Sequence, residues 1–287
     1  MKLARIQSVA IVELFLAILA MSGVDVIVRH LGLKEELSSQ QILLLSSLIG
    51  IVFLLPVMAK KGASLFRLKH PGLFLFRGLV AFASTFAMYS ALIRLPLAEA
   101  NTLFSVETMF LVILGAVFLK ESITTLNMVT VVLSIAGVVL VMNPQGSIDL
   151  PGGSMAIIAG FFLALKTVLM KSVAQNENTE AALLWLLVIS ALMSLPFAVS
   201  NWQSVSIAAL GLIALTAVFR LCCQWLMMRA FRRASVADLA PVFNLGIPIA
   251  LVQGYAFFGE LPQGGVWIGI TLIFLAVVLP SLKIRWP

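Results

Sequence analysis

Charge is what this chain has least of. Only 11% of its 287 residues are Asp, Glu, Lys or Arg, against about 25% in an ordinary soluble domain. That scarcity excludes a large soluble body. Histidine is almost missing, with His30 and His70 the two copies, both expected in loops on opposite faces. There is no HExxH, no GxSxG and no paired acid motif, so a membrane-embedded enzyme has none of its usual tools. There is no GxxxxGK[ST] and no polar stretch able to house a nucleotide-binding domain, so any pumping must draw on gradients. The two cysteines, Cys222 and Cys223, are neighbours in an apolar run. Adjacent side chains on a helix point apart and make a poor disulfide or metal site. No cofactor and no metal are expected.

What fills the chain instead is apolar: 61% of residues are hydrophobic. Runs near 20 residues recur along it, each long enough to cross a hydrocarbon core of about 30 Å as a helix. The net charge of +7 is scattered through the short links between these runs. It reads as a topology signal rather than a nucleic-acid patch. The expected class is an all-α integral membrane protein with the lipid bilayer as its solvent. The first apolar run is long, lacks a small-residue cleavage site and precedes many more spans, so it is expected to be a retained helix rather than a signal peptide.

Ten spans are predicted: Ser8–Val28, Gln40–Met58, Pro71–Ile93, Leu97–Leu119 and Leu126–Met142, then Ser154–Val173, Ala181–Val199, Ser206–Arg229, Val236–Phe258 and Gly265–Leu282. The Pro- and Gly-rich break NPQGSIDLPGG at 143–153 joins two halves, 1–145 and 146–287. The halves repeat. Arg94–Glu121 (RLPLAEANTLFSVETMFLVILGAVFLKE) returns at an offset of 139 as Arg233–Glu260 (RASVADLAPVFNLGIPIALVQGYAFFGE). Ala98 meets Ala237, Phe104 meets Phe243, Gly115 meets Gly254, and upstream Gly72 meets Gly211.

Five spans per half means that the second half enters the membrane inverted. Loop charges agree. With the N-terminus inside, thirteen Lys and Arg fall in inner segments and three, Arg29, Lys34 and Arg94, in outer ones. That bias places both termini in the cytoplasm. Two inverted five-helix repeats are the plan of many secondary transporters, with the substrate held between them. Ten helices make a complete pathway in a monomer, and a homodimer is compatible.

This doubled order resembles the drug/metabolite transporter superfamily, in particular its ten-helix EamA type. The residues that carry the resemblance are Ala98 to Glu121 with the ending FLKE, followed by LNMVTVVLSIAGVVLV, and Ala237 to Glu260 with FFGE, followed by GVWIGITLIFLAVVL. The resemblance implies transport of small metabolites, amino acids or drugs across a bacterial inner membrane, often outward. Two departures stand out. The family often has Glu-Pro in the fourth helix of each repeat, where this chain has Glu107-Thr108 and Gly246-Ile247. The family often has an arginine in the second helix, where this chain has Ser46 and Ser47.

Six charges lie inside the spans: Glu13, Asp25, Arg77, Glu107, Lys166 and Arg220. Each costs roughly 2.5–3.5 kcal/mol on insertion scales, so each is paired, near water or useful. Glu107 is the leading candidate, as a site for a proton or an ammonium group. Its structural alternative is an ion pair with Arg77 or Lys166. Arg77, Arg220 and Lys166 are candidates for gripping a carboxylate, an arginine doing so in a two-point fork, or else they snorkel. Asp25 and Glu13 are expected to reach the outer and inner interfaces. Tyr89, Asn101 and Ser105, with Gln224 and Trp225 one turn beyond Arg220 and Asn244 on the ninth span, complete the expected site. Trp185, Trp225 and Phe243 are expected to wall it. Helix nine, with Pro241, Gly246 and Pro248, is the one expected to bend.

The expected function is secondary transport of a small-molecule substrate, amino acids or related zwitterions first, by alternating access and in the outward direction. Protons are the candidate coupling ion. Export of organic cations or drugs is the runner-up, and uptake of a nucleotide-like or cofactor molecule comes third. The discriminating feature is whether the three basic side chains face a common cavity.

Overall fold

The computed structural model describes residues 2–62, 71–119, 125–142, 149–173, 179–233, 242, 245–262 and 264–278. Eleven helices lie among them: α1 Lys2–Lys34, α2 Ser39–Lys61, α3 Pro71–Arg94, α4 Leu97–Phe104, α5 Glu107–Leu119 and α6 Thr125–Met142, then α7 Leu150–Val173, α8 Thr179–Ser200, α9 Ile207–Arg233, α10 Gly246–Phe258 and α11 Gly265–Val278. They fall on all ten expected spans. Six of them are by themselves long and apolar enough to cross a bilayer.

Two spans differ from expectation. The first runs on to Lys34 rather than stopping at Val28, because Leu31 is a core residue and Arg29 is buried with its charge satisfied. His30 therefore sits on α1 and not in a loop, while His70 lies outside the described residues. The fourth span is two helices. Ser105 and Val106 form a turn between α4 and α5. The Ser105 hydroxyl folds back to donate to the Asn101 carbonyl at 2.8 Å, and its amide donates to the same oxygen at 3.0 Å. Glu107 then opens α5. The offset of 139 carries Glu107 onto Gly246, which opens α10 after a turn at Leu245. The α5 helix of one copy and the α10 helix of the other thus begin at one repeat position. Gly160 of α7 lies against the first break. A Cβ there would stand 2.7 Å from the Phe104 carbonyl oxygen and 3.3 Å from the Glu107 amide nitrogen.

The repeats are interleaved. α1 packs along α9 and α3 along α7. Under the offset α1 corresponds to α7 and α3 to α9, so these two interfaces are one interface made twice. α2 packs on α8 and α6 on α11, each helix against its own counterpart, while α4, the first part of the fourth span, packs on α10, the second part of the ninth. That pattern is what a pseudo-twofold axis between inverted halves generates.

Within lipid, helices associate through close packing of small residues rather than through expulsion of water. α6 and α11 show this. A Cβ on Gly137 would lie 2.5 Å from Ile273 Cγ1 and 2.9 Å from the Gly269 carbonyl oxygen, and one on Gly269 would lie 2.8 Å from the Gly137 carbonyl oxygen. Gly137→Ile is expected to lower stability by about 1–3 kcal/mol through overpacking. Thermal melting in detergent measures it, and an unchanged melting temperature would mean that these two backbones do not meet.

Each half also clasps the other at a helix end. Arg94, at the end of α3, holds Asp149 just before α7 at 3.0 Å. Its repeat counterpart Arg233, at the end of α9, holds Glu13 of α1, which also receives Arg229 Nε at 2.9 Å. Glu13 is therefore a buried member of an ion cluster, and the expectation that it simply reaches the inner interface is corrected.

Candidate functional site

Helix geometry sets the depth of each charged group. At 1.5 Å per residue, Glu107 lies about 15 Å along the fourth span from Leu97, and Asp25 about 14 Å along α1 from Lys34. Arg220 is midway along α9. These are mid-membrane positions. Lys166 and Arg77 stand nearer the face on which α1 begins, here the amino-terminal face. The other is the far face.

The three basic side chains converge. Lys166 of α7 lies within electrostatic range of Arg77, Glu107, Arg220 and Cys223. Arg220 donates to the Ser46 hydroxyl at 2.9 Å and to the Ser47 hydroxyl at 3.4 Å, so it does not snorkel. The two serines that stand where the family often has an arginine receive one from the other half. No ion pair within 4 Å is formed by Arg77, Lys166, Arg220 or Glu107 among the described residues. Arg77 Nε and Glu107 Oε2 are buried with no hydrogen-bond partner. The expected alternative, a salt bridge locking Glu107 to a base, is therefore not what the structure holds.

α1 runs through the middle of this group, and consecutive residues face different helices. Ser22 donates to Gln253 of α10. Gly23 faces Phe219, whose ring would be 2.7 Å from a Cβ. Asp25 lies near the Asn101 side chain of α4. Asp25 is 4% exposed and its Oδ1 has no partner. The expectation that it reaches the outer interface fails because α1 continues for nine residues beyond it, to Lys34. Tyr89 of α3 is wholly buried with its hydroxyl unpartnered, and it senses both Arg220 and Asp25.

The remaining expected site residues divide. Asn101 is at the site, one of its amide hydrogens donating to the Leu97 carbonyl at 3.1 Å. Ser105 shapes the break. Gln224 is half-buried with no hydrogen bond among the described residues. Trp225 is not a wall: it is 46% exposed, with the Arg229 guanidinium 4.4 Å over its ring. It sits on the outward side of α9, because residues 220 and 225 are five apart and turn 500° at 100° each. Asn244, Phe243 and Pro241 lie outside the described residues. Trp185 Nε1 is buried and unpartnered, consistent with a wall, and Phe110, Phe161 and Phe162 form edge-on ring contacts beside the break.

The sequence reading missed a second polar centre, nearer the far face. Arg29 of α1 donates through Nε to Glu260 at 2.8 Å and through Nη1 to the Leu92 carbonyl at 2.9 Å, and it also bonds the Leu95 carbonyl. The Glu260 carboxylate accepts the Leu97 amide at 2.9 Å. Gly259, at φ +66°, makes the left-handed turn after α10 that aims Glu260 inward. One ion pair thus joins α1, the α3–α4 turn and the end of α10.

Ten spans built from two inverted repeats, with charged side chains outside any ion pair at mid-depth, have the architecture of a membrane transporter. The chain belongs to the EamA-like transporter family, whose pattern it matches twice, over residues 8–143 and 150–282. It is 22% identical over 274 residues to an S-adenosylmethionine uptake transporter of Rickettsia bellii, covering 96% of this chain and 94% of that one. It is 23% identical to a riboflavin transporter of Rhizobium johnstonii, covering 91% and 87%. It is also 23% identical to a pseudopaline exporter of Pseudomonas aeruginosa, covering 86% and 88%. A crystal structure at 18% identity superposes with a TM-score of 0.64 over 99% of this chain and 98% of that one, a likeness of fold.

Proposed function

We propose that this protein is an inner-membrane carrier that moves a small zwitterionic, amino-acid-like metabolite by alternating access, with both termini in the cytoplasm. The observation that carries the reading is the meeting of Arg77, Lys166 and Arg220, drawn from both halves, with no carboxylate within ion-pairing distance. Three like charges in a low-dielectric interior repel strongly. A bound anionic group relieves that repulsion, and a forked guanidinium grips a carboxylate at two points. An organic cation would meet the opposite field. The halves 1–145 and 146–287 exchange helices, so each body that rocks about the site draws on both of them, α1 moving with α9 and α3 with α7. A carrier of this kind runs in either direction, and relatives named for uptake and for export share the scaffold. Net flux follows the gradients of substrate and of a coupling ion, protons being the candidate through Glu107.

Relatives named for S-adenosylmethionine and riboflavin support a second, cofactor-like reading. S-adenosylmethionine joins an amino-acid head to an aromatic base, so both readings predict a carboxylate at the basic cluster, and Trp185 is a candidate to face the base.

Thermal shift of the purified protein against amino acids, S-adenosylmethionine, riboflavin and organic cations tests the proposal, since a ligand of the folded state raises its melting temperature. Stabilisation by carboxylate-bearing zwitterions, lost with their methyl esters and lost in Arg220→Ala, is the expected result. Equal stabilisation by acid and ester, or by cations alone, would refute it.

A further inference from the structure

We propose that Asp25 is the ammonium-binding residue of this site, with the Tyr89 hydroxyl beside it, and that Arg220, held by Ser46 and Ser47, is the opposite pole. The inference rests on the zwitterion reading above, and it moves the cation-binding role from Glu107 to a residue on another helix.

Four observations carry it. Asp25 is buried at mid-membrane and keeps an oxygen without a hydrogen-bond partner. No basic side chain among the described residues forms an ion pair with it. Glu107 differs here, since Lys166 lies within its electrostatic range. Tyr89 is the largest fully buried side chain among the described residues, and its hydroxyl too lacks a partner. A buried hydroxyl or carboxylate oxygen left unbonded is costly, and such groups in a native protein are satisfied by water or by a ligand.

Placement does the rest. The contact of Gly23 with Phe219 sets the register of α1 on α9, bringing Asp25, two residues from that contact, and Arg220, next to it, to a common depth. Tyr89 and Cys223 each lie within electrostatic range of both Asp25 and Arg220, while the acid and the base form no pair. An acid and a base at a common level, with one hydroxyl and one thiol within range of both, complement a head group carrying an ammonium and a carboxylate. The Ser46 and Ser47 hydroxyls use part of the Arg220 fork, fixing the guanidinium and leaving its remaining N–H groups to the substrate.

The test compares wild type, Asp25→Asn and Arg220→Ala by thermal shift and equilibrium binding. The probes are L-methionine, S-adenosylmethionine, and for each its deaminated analogue. Asparagine keeps the size and shape of Asp25 while removing its charge. Ligand-free Asp25→Asn is expected to melt no lower than wild type, because it removes an unpaired buried charge. It is expected to bind the better zwitterion at least tenfold more weakly and the deaminated analogue unchanged, whereas Arg220→Ala weakens both. If Asp25→Asn melts well below wild type, Asp25 is neutralised within the protein and the proposal falls. If it keeps full affinity for the zwitterion while Arg220→Ala loses it, the ammonium sits elsewhere and the proposal falls alone. If neither variant changes binding, or no zwitterion binds wild type, the zwitterion reading falls and takes this inference with it.

Discussion

Arg29→Ala is expected to destabilise the protein by about 3–5 kcal/mol, the usual consequence of removing one partner of a buried ion pair. The reasoning follows the groups left behind. Glu260 loses its counter-ion in a site where its side chain is largely shielded, and the Leu92 and Leu95 carbonyls lose their donor. Glu99, also buried, lies within electrostatic range of both Arg29 and Glu260. Without the guanidinium, two acids face each other with no cation between them. Glu260→Gln is expected to cost clearly less, since an amide oxygen still accepts from Leu97 and from Arg29 while one negative charge is removed. Unfolding in detergent compares the two. Equal costs for the two variants, or a wild-type melting temperature in Arg29→Ala, would contradict the assignment.

The second large effect is expected at Gly160. Its hydrogen faces the carbonyl of Phe104, the last residue of α4, and a methyl group there would sit 2.7 Å from that oxygen. Backbone cannot swing aside as a side chain can. Gly160→Ala must separate α7 from the turn at Ser105 and Val106 or straighten that turn, at a cost of about 1–3 kcal/mol. Set against one conformation of a two-state carrier, that is roughly a fivefold to hundredfold change in population. Transport in proteoliposomes is therefore expected to fall by at least about fivefold while the protein still folds. Gly72→Ala is the control, because a Cβ there meets nothing within 4 Å. It is expected to be silent or to stabilise slightly, by about 0.5–1 kcal/mol, through helix propensity. Full transport in Gly160→Ala would show that the break tolerates displacement.

Ten spans, the repeat and the transporter class were legible in the sequence because apolar length and periodic self-similarity are local and one-dimensional. Arg77, Lys166, Arg220 and Glu107 were legible for a related reason: a charge within an apolar run stands out wherever it falls. Asp25 and Arg29 were misjudged because a span edge read from hydropathy stops at the first charge, and here the charge at 29 is satisfied by a carboxylate 231 residues away. Trp225 was misplaced because one-turn spacing brings residue 224 back beneath 220, and the next residue turns toward lipid. The break before Glu107 carries no proline or glycine in FSVE, so nothing local announces it. Its signal was Gly246 in the other copy, with glycine and Pro248 at the matching place, and reading one repeat through the other would have found it.

The exchange of partners between repeats bears on how the chain is made. α1 emerges first, and its long interface is with α9, about 180 residues later. α3 waits in the same way for α7. The first half therefore cannot bury its charged faces when it enters the membrane; Arg29 awaits Glu260, and Glu13 awaits Arg229 and Arg233. At a synthesis rate of about 5–20 residues per second, α1 stands with those groups unpaired for roughly ten seconds or more, wet by the insertion machinery or turned to the interface. The two halves are a repeat in sequence and one cooperative unit in assembly. A chain cut between them should regain its fold when both pieces are made in one membrane, and neither piece should persist alone.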